Sequence, residues 1–140
     1  MGNTTNGLPY PEGTDPLAQG AAAIKALATA VDPYVGDTGW STIQAGTSTT
    51  PTIKIRRIGK DVWVFIDGAI NNLANAASVT YAGIVPAALR PTVGNIRGMI
   101  SLDHRAGAGV IATAGDVVIW NQTGAARASV NASLIPYPLG

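Results

Sequence analysis

Between Ile53 and Ile66 the sequence can fold in few ways. Ile53 and Ile55 alternate with Lys54 and Arg56, Gly59-Lys60 turns the chain, and Val62-Trp63-Val64-Phe65-Ile66 follows. Apolar residues at every second position mark strands, and two such runs around a glycine turn predict a β-hairpin. The second strand is apolar on both faces: Val62, Val64 and Ile66 on one, Trp63 and Phe65 on the other. It therefore needs cover on both sides, inside a sandwich or against a neighbouring subunit, and Trp63 is expected in the core. Arg56-Arg57 interrupts the alternation and predicts a bulge.

Strand patterns continue downstream. Ser78–Val85 ends at Pro86, Pro86–Pro91 reads as a surface turn, and Ile96–Leu102 and Gly109–Ala112 are further strands. Ala114-Gly115-Asp116 turns into Val117–Trp120. In the last strand Val130, Ala132 and Leu134 alternate with Ser129, Asn131 and Ser133, which makes the first three the inward face. Seven or eight short, evenly spaced strands predict a mainly β fold, an antiparallel β-sandwich of jelly-roll type.

The N-terminal part follows a different period. Leu17, Ile24, Leu27 and Val31 fall at the spacing of a helical seam. Asp15 suits an N-cap, Pro16 the first helical position, and Asp32-Pro33 the end. The chain thus divides into an extended leader (1–14), an oligomerisation helix (15–32), a linker and first strand region (33–51) and a β head (52–140). So short a helix is marginal alone in water and calls for copies of itself. Gly20 and several alanines weaken its seam, so the head is expected to hold the oligomer and the helix to follow.

Composition narrows the partners. Only 12% of the residues are charged, against about 25% in an average domain. Much of the surface is therefore expected to lie in subunit contacts. A net charge of +1 from scattered basic residues argues against nucleic acid. With no cysteine and one histidine the chain predicts no metal site, and no motif calls for a cofactor. Met1-Gly2-Asn3-Thr4-Thr5 is not a secretory signal. Gly68–Leu89 is uncharged, but its asparagines, Ser78, Thr80 and Pro86 argue against membrane insertion.

The reactive side chains are few. Asp67 and Asp103 are the carboxylates without a turn or helix-end role, and a glycosidase would need them to flank one bond. His104 has no serine in a nucleophile turn, so no catalytic residue is expected. Asp103, His104 and Arg105 instead form a cluster on a loop that runs into the flexible Ala106-Gly107-Ala108-Gly109. Trp40 is expected to cap the sandwich. Trp120 precedes Asn121-Gln122, and an aromatic face beside amides suits a sugar, whose hydroxyls the amides bond. Asp103, His104, Arg105 and Trp120 are the candidate contacts.

These pieces occur in an order that resembles a known family. Leu8-Pro9-Tyr10-Pro11-Glu12-Gly13-Thr14-Asp15-Pro16-Leu17-Ala18-Gln19-Gly20 before an Ala-rich helix resembles the start of minor tail proteins and short fibres of tailed bacteriophages, above all those of actinobacteria. Asp37-Thr38-Gly39-Trp40, Arg56-Arg57-Ile58-Gly59, Val85-Pro86-Ala87-Ala88-Leu89-Arg90-Pro91, Gly115-Asp116-Val117-Val118-Ile119 and Ile135-Pro136-Tyr137-Pro138 resemble the head domains of phage receptor-binding proteins. The family usually has glycine and an aromatic where this chain has Ala88 and Leu89. The resemblance implies a homotrimer in the virion, with a three-helix stalk, a β head that contacts host saccharides, and other virion proteins met through the N-terminus. The rival expectations are a purely structural virion protein (head fibre or capsid decoration) and, last, a glycan-degrading tail enzyme.

Overall fold

The computed structural model describes residues 2–5, 9–10 and 17–140. Asp15 and Pro16, the expected start of the helix, lie outside the described residues. Two short strands, β1 (Gly2–Asn3) and β2 (Pro9–Tyr10), pair antiparallel. Helix α1 (Leu17–Val35) follows, with β2 against it. The head consists of β3 (Ser41–Gln44), β4 (Pro51–Ile58), β5 (Asp61–Leu73), β6 (Ser78–Tyr81), β7 (Ile96–Leu102), β8 (Arg105–Ile111), β9 (Val117–Trp120) and β10 (Arg127–Pro138). The fold is mainly β with one helix.

All eight head strands join in one antiparallel sheet, in the order β3-β4-β5-β10-β7-β8-β9-β6. Chain length explains why it curls. Residues 74–77 connect β5 to β6, five positions apart in that order. A flat sheet would separate those strands by about 24 Å, beyond the roughly 18 Å that five extended Cα steps reach. The curl brings the ends together. Asn121 closes the junction, its N–H donating to the Ala77 carbonyl at 2.9 Å and its carbonyl accepting from the Ala76 N–H at 2.8 Å.

The concave face carries one aliphatic core. Ile53, Ile55, Val62, Val64, Ile66, Leu102, Ile111, Val117, Ile119, Val130 and Ile135 are each at most 2% exposed. At about 1.5–3 kcal/mol for each such side chain, they form the dominant stabilising element. Among the described residues, none from the helix belongs to this cluster. The inward glycines of β8 follow from the same packing: a Cβ on Gly107 would meet Leu102 and one on Gly109 would meet Ile135. The segment expected as a flexible loop, Ala106–Gly109, is therefore strand, and the loop shrinks to Asp103-His104.

Other local expectations change as well. The helix continues three residues beyond Asp32, through Pro33, although proline disfavours a helical position after the first turn. The Gly36 N–H donates to the Asp32 carbonyl and closes the last turn. β4 and β5 stay in register from Pro51 with Gly68 to Ile58 with Asp61, so Arg56-Arg57 forms no bulge. The bulge lies in β10, where the pairing with β5 shifts between Val130 and Ser133. Ala132 there has φ +24°, and its N–H donates to the Asp67 carboxylate at 2.9 Å. One extra residue reverses every later side chain. Ser133, Ile135 and Tyr137 turn inward, and Leu134, expected inside, is 46% exposed. Trp63, also expected in the core, is on the outer face of β5 and half-buried.

The helix is anchored at its C-terminal end. The Gly59 N–H donates to the Gly36 carbonyl at 2.7 Å, and Gly59 (φ +59°) passes so close to Tyr34 that a Cβ would overlap the Tyr34 carbonyl. The Lys60 ammonium lies 4.5 Å from the centroid of the Tyr34 ring. Above that anchor Ile24 is 67% and Leu27 37% exposed, and Val31 is half-buried.

Candidate functional site

The outer face of the sheet holds the open apolar surface. The two-residue Gly59-Lys60 turn sets Lys54 opposite Phe65 and Arg56 opposite Trp63. β10 adds Leu134 beside Phe65 and Pro136 beside Trp63, and β3 adds Thr42 beside Lys54. Trp40, just before β3, meets Phe65 edge to face, with ring centroids 6.1 Å apart. Trp40, Lys54, Phe65 and Leu134 line a shallow depression of about 400 Å³. A second, of about 420 Å³, shares Leu134 and runs past Met99, Ser101 and Asn131 to His104 and Arg105. The two adjoin at Leu134, and the pair is here called the trough. Each half has the volume of a small-ligand site, but the shallow walls suit an extended ligand better than an enclosed one.

Asp37-Thr38-Gly39 holds Trp40 in place. Asp37 takes Arg56 through both carboxylate oxygens, with Arg56 Nε on Oδ1 at 2.9 Å and Nη2 on Oδ2. It also accepts the Gly39 N–H at 2.8 Å. The Arg56 hydrogen bond, helped by the Gly39 N–H, lowers the Asp37 pKa to about 2. Thr38 donates its N–H to the Arg57 carbonyl and accepts the Arg57 N–H on its hydroxyl. The Arg56 guanidinium lies 6.0 Å from the centroid of the Trp40 ring. A segment without regular structure is thereby laid along β4, and Trp40, still 45% exposed, is oriented by its neighbours.

The structure separates the four expected contact residues. Asp103 and His104 form the β7–β8 turn with φ +44° and +62°, the positive pair that a two-residue hairpin requires. His104 and Arg105 line the trough. The Asp103 carboxylate instead accepts the Ser129 hydroxyl at 2.5 Å and the Ala128 N–H at 2.9 Å. The Ser129 hydroxyl foremost, then the Ala128 N–H, holds its pKa below the ordinary value. Trp120 is 40% exposed on β9, outside the residues that line the trough. Its neighbour Asn121, expected beside sugar hydroxyls, is fully buried. Its amide donates to the Leu73, Ala74 and Ala125 carbonyls and accepts from Thr123, leaving nothing for a ligand. Asp67 and Asp103 are tied to different stretches of β10, and neither lines the trough.

Trp40, Lys54, Phe65 and Leu134 were not among the candidates, although part of the signal was there. A two-residue turn at Gly59-Lys60 fixes the pairing, so Lys54 and Arg56 must share a face with Phe65 and Trp63. Cations at the centre of a face mark it as open to solvent. Leu134 carried no such signal, because its direction depends on the bulge. Among the described residues no group of three or more metal-ligating side chains occurs, and no helix is long and apolar enough to cross a membrane. Comparison with known proteins finds no family model that matches this chain and no curated protein similar to it.

Proposed function

We propose that this chain is a non-enzymatic virion protein of a tailed bacteriophage. In this reading it is a homotrimeric fibre or tail-tip protein that meets other virion proteins through its N-terminus and binds a host-surface saccharide with its β head. The observation that carries the binding role is the trough: Trp40 and Leu134 lie open beside the half-buried Phe65, and hydroxyl and amide groups of Ser101 and Asn131 line the adjoining depression that shares Leu134. Aromatic and aliphatic faces suit the apolar face of a sugar ring, and the polar groups suit its hydroxyls. The exposed Ile24 and Leu27 support association of helices between copies. Three weak sites on one head, repeated over a virion, gain strength by avidity without a deep pocket.

The rival is a structural head-fibre or capsid-decoration protein, and the apolar character of the trough favours it if a neighbouring subunit covers that face. Adsorption separates the two. The labelled protein is expected to bind actinobacterial cells, to be displaced by their isolated cell-wall polysaccharide, and to lose binding on Trp40→Ala. Absence of adsorption at micromolar protein by a folded sample would leave the structural role.

A further inference from the structure

The side of the head opposite Trp40 and Phe65 is also poor in charge. Ile53, Ile55, Val64 and Ile66 of β4 and β5 share one core with Ile111, Val117 and Ile119 of β8 and β9. Side chains alternate along a strand, so Lys54 and Phe65 leave that core on one side and Val110, Val118 and Trp120 on the other. Pairing lines up this second face in two rows across β7, β8, β9 and β6. Met99, Ala108, Trp120 and Ser78 form one row, and Arg97, Val110, Val118 and Thr80 the next. The only charge in the two rows is Arg97, at the margin. A centre without charge that includes an open tryptophan has the composition of a subunit contact. The flanks of the face differ in sign. Arg97, on β7, is exposed and has no ion pair or side-chain hydrogen bond among the described residues. Asp116, just before β9, accepts the Gly83 N–H on Oδ1 at 2.7 Å, and its Oδ2 has no hydrogen bond among those residues. Two strand spacings, about 10 Å, keep the pair apart within one chain.

We propose that this face joins the heads of neighbouring copies, with Ala108, Val110, Val118 and Trp120 at its centre and Arg97 of one copy beside Asp116 of the next. This rests on the homotrimer proposed above and names the surface that holds it. Around a three-fold axis the contact is heterologous: each copy offers one flank to its first neighbour and the other flank to its second. A cation on the β7 flank and a carboxylate on the β9 flank meet that requirement, whereas like charges on both flanks would repel at every contact. Trp40 and Phe65, on the far side of the core, then face away from the axis and stay open to a ligand.

Light scattering and thiol labelling of the full-length protein test this. Val118→Lys and Trp120→Glu are each expected to raise the concentration at which the oligomer dissociates about tenfold or more. Thr42→Glu, beside Lys54 on the far side, is expected to leave it unchanged. Arg97→Glu is expected to raise it roughly three- to tenfold, and by less at high salt. The chain has no cysteine, so Ala108→Cys supplies a single thiol with little change in bulk. Dilution from the assembled to the dissociated state is expected to speed labelling of that thiol about tenfold or more, and to leave the rate for Thr42→Cys unchanged. The labelling arm decides by itself if a charged variant fails to fold. An oligomer that withstands both charged centre variants, or whose Ala108→Cys thiol labels equally fast assembled and diluted, would overturn this surface and leave the homotrimer standing. A wild-type protein that is monomeric at micromolar concentration would overturn both.

Discussion

At the scale of single residues, the polar side chains of the head act mainly as structural fasteners. Asn121, Asp103, Asp67 and Asp116 spend their side chains on backbone groups. Sequence reasoning could see that such residues were present, but not that the backbone would claim them. Tyr137 is a further fastener and one that titrates. Its hydroxyl donates to the Leu89 carbonyl at 2.6 Å, and burial pushes its pKa up to about 12 from 10.0. The unfolded chain therefore releases this proton first as pH rises. The contribution of Tyr137 is complete below pH 10 and is lost as pH climbs toward 12. Alkaline denaturation curves should fall in that window, and Tyr137→Phe should flatten the fall while costing about 1 kcal/mol at neutral pH.

At the scale of elements, the hairpin and the bulge show what a sequence displays and what it hides. The β4–β5 hairpin was legible because its turn and its alternation are both local. The β10 bulge was not, because it depends on Asp67, 65 residues away in sequence, accepting the Ala132 N–H. A regular reading of β10 puts Leu134 inside and Ile135 outside; the bulge exchanges them. Leu134→Ser is accordingly expected to change stability by no more than about 0.5 kcal/mol, and Ile135→Ala to cost about 2–5 kcal/mol. Urea denaturation of the two variants measures this, and the reverse order would restore the regular register. The helix was legible by its period, but not by its stop signals, since it runs three residues past Asp32 and through Pro33. Since no described residue of α1 belongs to the head core, deletion of residues 1–32 is expected to leave a folded head that sediments as an oligomer. A monomeric head would show that the helix drives assembly.

At the scale of the whole molecule, the features that shape the proposal are surfaces rather than cavities. The head exposes a trough of Trp40, Phe65 and Leu134, and the helix exposes Ile24 and Leu27. In the proposed assembly the helix face is covered between copies and the trough remains outward, so that weak saccharide contacts act together. Single weak sites on separate chains would lose that advantage. Avidity requires association of the intact chain, and the molar mass of the purified full-length protein by light scattering tests that most directly. Three copies of the 14.2 kDa chain are predicted, and a mass of one copy at micromolar concentration would contradict the account.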